Sequence, residues 1–143
     1  MRNQRLKKTL LFTLFTLFNG CVLSTSVVQA NSVSLNVQNS TPEILQLVSS
    51  SPSGVFPATV GPGQSLPVSY DFGGTSSEMS ATYKRVGTGT TCRFSASHVV
   101  YVSGPRFAKS AVSTGATSAT CLTFQSPTWR IPYNYTATFA FYY

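Results

Sequence analysis

The sequence predicts an all-β protein: a single antiparallel β-sandwich, immunoglobulin-like or Greek-key, of about seven to eight strands, preceded by an N-terminal signal peptide. Apolar and polar residues alternate through most of residues 31–143. No long window there repeats its apolar residues with the 3.6-residue period of a helix. Glycine, proline and serine separate the alternating runs, as turns separate the strands of a sandwich.

The first thirty residues have the three parts of a secretory signal peptide. Lysine and arginine are concentrated within residues 2–8, residues 10–18 are apolar, and Val28-Gln29-Ala30 has side chains that signal peptidase accepts. A membrane-spanning helix needs about 20 apolar residues, and Asn19-Gly20 ends this run earlier. We therefore expect cleavage after Ala30, which leaves one domain, residues 31–143, in the periplasm of a bacterium, on its surface or in the medium.

A second processing signal lies at Gly20-Cys21. A small residue directly before a cysteine resembles the acylation site of bacterial lipoproteins, and this resemblance implies a lipid on Cys21. Phe18 and Asn19 stand where those proteins carry an aliphatic and a small residue. We favour cleavage after Ala30, with Cys21 an ordinary residue of the removed segment.

The strands are predicted in chain order from this alternation. Val33, Leu35 and Val37 indicate the first strand, and a more continuously apolar run over 44–48 indicates the second. A short run over 55–60 contains a proline and suits a sheet edge. Further runs follow at 66–70, 79–83, 92–102, 107–112 (the weakest) and 117–124.

The last strand has the clearest period of two in the chain. Its apolar face is formed by Tyr133, Tyr135, Ala137, Phe139 and Phe141. Because the alternation is unbroken, we expect Tyr133 and Tyr135 to belong to the core.

Charge is scarce, and part of it belongs to the leader. Charged residues make up 9% of the chain, against about 25% in typical soluble domains. Residues 31–143 keep six lysines and arginines against three carboxylates, a formal net charge of +3. These cations are scattered, so we predict no nucleic-acid binding and at most a weak preference for anionic surfaces.

Cys92 and Cys121 are the two cysteines that remain after the leader. Two cysteines in an exported domain most simply form one disulfide. In the chain-entropy model, closing a loop of about 30 residues stabilises the fold by roughly 3.5 kcal/mol. A metal site is not predicted, because the cysteine spacing is unlike that of zinc ligands and His98 is the only histidine.

Catalytic groups are few in residues 31–143. His98 lies in an apolar run beside Val99 and Val100, which favours a structural histidine. Glu43 and Glu78 could pair as acid and base, as in glycosidases, but nothing in the local sequence brings them together. We therefore predict no enzyme activity and no cofactor.

Binding is the activity that the composition favours. Trp129 and Arg130 are neighbours, and exposed aromatic side chains beside a cation can stack on sugar faces or anchor a protein interface. Tyr101 is a further candidate. We expect a non-enzymatic interaction module with a protein or glycan partner.

Residues 135–143, Tyr-Thr-Ala-Thr-Phe-Ala-Phe-Tyr-Tyr, resemble the final strand of chaperone–usher pilins, which alternates and ends in tyrosine. That resemblance implies subunits joined by strand donation. Cysteines of that family usually lie in the N-terminal half, whereas Cys92 and Cys121 lie in the second half. A structural subunit of a surface fibre is therefore the alternative function, together with a small membrane-active β protein.

Overall fold

The computed structural model describes residues 31–143; the predicted signal peptide and Cys21 lie outside this range. The described chain is all-β, as expected, and contains nine strands. These are β1 (Asn31–Ser40), β2 (Leu45–Ser51), β3 (Thr59–Val60), β4 (Ser65–Phe72), β5 (Ser77–Arg85), β6 (Thr91–Tyr101), β7 (Gly104–Ser113), β8 (Thr120–Pro127) and β9 (Tyr135–Tyr142).

The strands form two sheets, consistent with the predicted sandwich. The four-stranded sheet has the order β4-β1-β9-β8, and the five-stranded sheet has the order β3-β2-β5-β6-β7. Four antiparallel pairs join sequence neighbours within a sheet: β2–β3, β5–β6, β6–β7 and β8–β9. The other four links pass from one sheet to the other: β1 to β2, β3 to β4, β4 to β5 and β7 to β8.

Two features differ from the expected antiparallel sandwich of about seven to eight strands. The first is that β1 pairs in parallel with β9, from Val33 opposite Tyr135 to Ser40 opposite Tyr142. A period of two is the same for parallel and antiparallel strands, so alternation does not determine strand direction. The second is the strand number, since a ninth strand is present and β3, at the edge of its sheet, has only two residues.

The core lies between the sheets and is aromatic at its centre. Phe139 of β9 stacks on Phe94 of β6, with ring centroids 5.3 Å apart, and on Phe56, at 6.1 Å. The residues predicted to face inward on β1, Val33, Leu35 and Val37, are all buried. Because burial of one such side chain is worth about 1.5–3 kcal/mol, each face of the alternation is strongly specified.

The start of the last strand was predicted two residues too early. Tyr135 is buried, as expected, but Tyr133 lies before β9 and is only half-buried. Its φ of 64° is in the left-handed region, which an extended strand cannot contain. The pattern of side chains continues to Tyr133, whereas the backbone turns there.

Cys92 and Cys121 lie at disulfide distance, with sulfur atoms 1.94 Å apart and Cα atoms 5.7 Å apart. These distances confirm the predicted pairing of Cys92 with Cys121. Cys92 is on β6 and Cys121 on β8, so the bridge connects the two sheets. Cys92 itself is completely buried.

Within residues 31–143 no helix is long and apolar enough to cross a membrane. A disulfide-bonded all-β structure is compatible with an extracellular or periplasmic location.

Candidate functional site

Because of the directions in which the strands run, several loops lie at the same end of the two sheets. The β6–β7 turn, the β8–β9 loop of residues 128–134 and the β4–β5 loop of residues 73–76 all lie there, together with Asn31 at the start of β1. Contacts of His98 with both Asn31 and Ser77 connect these elements directly. We call this region the Trp129 end.

His98 is the buried centre of the Trp129 end. It is completely buried, and Asn31 Nδ2 lies 2.6 Å from its Nδ1, with Ser77 Oγ 3.3 Å from the same nitrogen. Because an amide N–H can only donate, this arrangement favours an unprotonated Nδ1. Burial lowers the pKa of His98 below its usual 6.5. The histidine is therefore a neutral structural residue, as its apolar sequence context predicted.

Aromatic rings pack around His98 and support the surface above it. Phe107 stacks on the imidazole with ring centroids 5.2 Å apart, and Tyr135 meets it edge-on at 6.5 Å. The Tyr135 hydroxyl donates to the carbonyl of Ala96 at 2.9 Å, and burial raises the pKa of that hydroxyl to about 12. These contacts make the floor of the site rigid.

Trp129 rests on this floor and still faces outward. Its ring meets Phe107 edge-on, with centroids 5.2 Å apart, while 67% of the side chain remains exposed. The loop that carries it is held to the strands, since the backbone N–H of Ser32 donates to Asn134 Oδ1 at 2.9 Å. The backbone N–H of Thr128 also donates to the carbonyl of Asn134, at 2.8 Å.

Tyr101 lies at the tip of the β6–β7 hairpin, on the outer face of the five-stranded sheet. The guanidinium of Arg106 lies over its ring, 5.2 Å from the centroid. The tyrosine is half exposed, and the next residue, Val102, is fully exposed in the turn. The hairpin thus presents an aromatic, an aliphatic and a cationic side chain together.

Arg130 and Ile131 follow Trp129 in the β8–β9 loop. Both are exposed, Ile131 to 70%. The backbone N–H of Tyr133 donates to the carbonyl of Arg130 at 2.6 Å, which closes a tight turn under these two side chains. This loop therefore presents an exposed aliphatic residue beside an arginine, as the β6–β7 hairpin does.

Two carboxylates lie near the strand ends here. Glu78 is opposite Ser97 on β6, four residues before Tyr101, and Asp71, the second-last residue of β4, accepts a hydrogen bond from the hydroxyl of Ser32. Of the two arginines, Arg130 lies in the β8–β9 loop, and Arg106 lies on β7, two residue pairs nearer the hairpin tip than Glu78.

The three residues predicted as ligand contacts, Trp129, Arg130 and Tyr101, all lie at the Trp129 end, on two different loops. Val102, Ile131 and Arg106 share this end and were not predicted. Val102 could have been found from its position directly before Ser103-Gly104-Pro105, because an aliphatic residue next to a turn has little core to enter. The location of Ile131 and Arg106 at the Trp129 end follows only from the folded structure.

No group of three or more histidine, cysteine, aspartate or glutamate side chains able to hold a metal occurs among the described residues. A depression of about 280 Å³ lies beside His98, between Phe72 and Val99, and is lined mostly by Ser76, Ser77, Glu78 and Ser97. It could admit solvent or a small polar group.

Comparison of the chain with known protein families and with curated proteins finds no match.

Proposed function

We propose that residues 31–143 form an exported, non-enzymatic β-sandwich module that binds its partner through the Trp129 end. The observation that carries this proposal is that Trp129 and Tyr101 are both more than half exposed while each is held by a specific aromatic or cationic neighbour. The proposal includes a cleaved signal peptide, a periplasmic, surface or secreted location, and an immunoglobulin-like or Greek-key class for the sandwich.

Exposed aromatic anchors on a rigid base are the usual centres of binding surfaces. A side chain that is already ordered loses less conformational entropy on binding than a mobile one. Trp129 gains that order from Phe107, and Tyr101 gains it from Arg106. Large exposed apolar side chains grouped at one place also favour an interaction site over a solvated surface.

The positions of the titratable groups support the non-enzymatic part. His98 is buried and its Nδ1 faces Asn31, so this nitrogen is not presented to a substrate. Glu43 forms an ion pair with Arg85, Oε2 to Nε 3.2 Å, at the opposite end of the sheets from Glu78. The two glutamates therefore cannot act as an acid–base pair in this structure.

The proposal is tested with the mature protein on a glycan array and on phospholipid vesicles. We expect a ligand whose binding falls about tenfold or more in Trp129→Ala, the loss typical of an anchor residue. Phe124→Ala is the matched control, because Phe124 is also about half exposed but faces outward from β8. No binding to either probe, or equal loss in the two variants, would contradict a binding role for the Trp129 end.

A surface-fibre subunit is the second candidate, and the position of β1 favours it. This strand begins the described chain, lies between β4 and β9 and forms the only parallel pairing among the named strands. Withdrawing it would leave a gap between β4 and β9, lined by the core residues that now contact Val33, Leu35 and Val37. Such a gap could accept β1 of another copy by strand addition.

This candidate predicts polymers whose formation requires β1 to leave. Ser34 and Ser69 are paired neighbours on β1 and β4 and are both exposed, so a Ser34→Cys/Ser69→Cys bridge should hold β1 in place. Size-exclusion chromatography at rising concentration should show polymers for the wild type and for Ser34→Ala/Ser69→Ala, but not for the bridged protein. A wild type that stays monomeric counts against the fibre subunit.

A further inference from the structure

We propose that the partner of the Trp129 end is the surface of an anionic phospholipid bilayer, into which the β6–β7 turn and the β8–β9 loop insert. This inference rests on the proposed function and names the ligand class of the same site. It depends on the kind of side chain at the two tips and on the charges around them.

The two most exposed large apolar side chains at the Trp129 end are aliphatic. Val102 is fully exposed in its turn, and Ile131 is 70% exposed in its loop. Aliphatic groups make no hydrogen bonds to sugar hydroxyls, and their exposure to water is unfavourable unless an apolar phase receives them. Insertion below the lipid headgroups supplies that phase.

A fluid bilayer also fits the shape of this end better than a protein surface does. Val102 and Ile131 belong to two separate loops, one from each sheet, at the end of the fold. A protein partner would need a matching pocket for each tip to reach the packing density of an interface. Lipid chains rearrange around both tips without such pockets.

Trp129 and Tyr101 stand next to these tips. Tryptophan and tyrosine concentrate at the headgroup level of membranes, because each combines an apolar ring with a polar group. Each ring is held at its position, Trp129 by Phe107 and Tyr101 by Arg106. Two aliphatic tips beside two aromatic rings form the pattern of a shallow membrane anchor.

The charges at this end are arranged for anionic headgroups. Arg130 is exposed in the loop beside Ile131, and Arg106 is exposed on β7, two residue pairs nearer the β6–β7 tip than Glu78. Asp71 lies at the end of β4 and accepts a hydrogen bond from Ser32. Arginine stays protonated at any relevant pH and binds phosphate through several N–H groups. Anionic lipid attracts each such side chain near its surface.

The test uses vesicles of phosphatidylcholine alone and vesicles that also contain phosphatidylglycerol. Trp129 is the only tryptophan in the chain, so its fluorescence reports this end directly. We expect the mature protein to bind the phosphatidylglycerol vesicles at least roughly tenfold more tightly, with a shift of Trp129 emission to shorter wavelength. Arg106→Gln/Arg130→Gln should remove most of that preference.

Neutral polar substitutions at the tips separate insertion from charge attraction. Val102→Asn and Ile131→Asn should each abolish the emission shift, while Val48→Asn leaves it unchanged. Val48 is the matched control, because it is 60% exposed at the bulge in β2, away from this end. Circular dichroism of each variant verifies that the fold is retained.

Three results would overturn the inference: no vesicle binding, equal binding to both compositions, or the same loss for Val48→Asn as for Val102→Asn. A glycan-array signal that Trp129→Ala removes, without vesicle binding, would assign the site to a sugar ligand and leave the proposed function standing. Absence of both signals would contradict the lipid inference and the proposed function together.

Discussion

Asn39 shows how one buried polar residue orders loops that the sequence marks only as turns. Its Nδ2 donates to the carbonyls of Glu43, Val60 and Gly61 at 2.7, 3.0 and 3.0 Å. Its Oδ1 accepts from the backbone N–H and the hydroxyl of Thr41, at 3.0 and 2.8 Å. The side chain therefore joins the β1–β2 link to the turn before β4. The sequence suggests a turn at Asn39, whereas the structure includes this residue in β1 and buries it completely.

We expect Asn39→Ala to lower the free energy of unfolding by about 3 kcal/mol, because buried carbonyls then lose their donors. The control is Asn36→Ala, an exposed asparagine on the same strand, for which a change within about 0.5 kcal/mol is expected. Urea denaturation followed by circular dichroism measures both. Similar values for the two variants would show that the Asn39 contacts contribute little.

Individual strands were predictable to the extent that one face is buried. The inward residues of β1, β5 and β6 agree with the pattern, because a shift by one residue would expose the whole apolar set. The weak candidate at 107–112 became β7, a ten-residue edge strand, since pairing with β6 stabilises it more than its own composition suggests. The run over 55–60 forms a shorter strand than predicted, because only Thr59 and Val60 pair with β2.

The disulfide between β6 and β8 is the covalent link between elements of opposite sheets. We expect Cys92→Ser/Cys121→Ser to lower the free energy of unfolding by roughly 3.5 kcal/mol, because the denatured chain regains the freedom of a loop of about 30 residues. Urea unfolding of wild type and variant, each with and without reductant, measures this effect. Reductant should destabilise only the wild type; an unchanged wild type would mean that the bridge does not contribute.

In the molecule as a whole, the two ends of the sheets differ in the side chains that they present. The Trp129 end exposes aliphatic and aromatic side chains over the neutral His98 cluster. The other end holds the Arg85–Glu43 ion pair, and Arg85 there also lies over the ring of Tyr143, 5.2 Å from its centroid. His98 is buried under the proposed binding surface and contacts Asn31 of one sheet and Ser77 of the other, so its protonation is coupled to the stability of the fold.

This coupling predicts a dependence of global stability on pH. The pKa of His98 is lowered in the folded state, so below pH 6.5 the unfolded chain binds more protons than the folded one. The free energy of unfolding should therefore be highest above pH 6.5 and fall by up to about 1.4 kcal/mol per pH unit as the pH decreases toward the folded pKa. Thermal melts from pH 8 to 5 measure the slope.

His98→Asn is the reference for this experiment, since it removes the titrating group and keeps a polar side chain. Its melting temperature is expected to be lower than that of the wild type at neutral pH but nearly constant over the same range. An equal slope in both proteins would assign the acid sensitivity to the carboxylates instead of His98.

Three properties can be inferred from the amino-acid pattern alone: the all-β class, the direction in which most strand residues face and the pairing of the two cysteines. These follow from local periodicity and from counting, which need no knowledge of neighbours. The folded chain was needed to show that β1 lies parallel to β9, that the backbone turns at Tyr133, and that Trp129, Arg130 and Tyr101 lie at the same end. Strand direction and loop convergence depend on contacts between residues far apart in the chain, and a period of two is identical for every such arrangement.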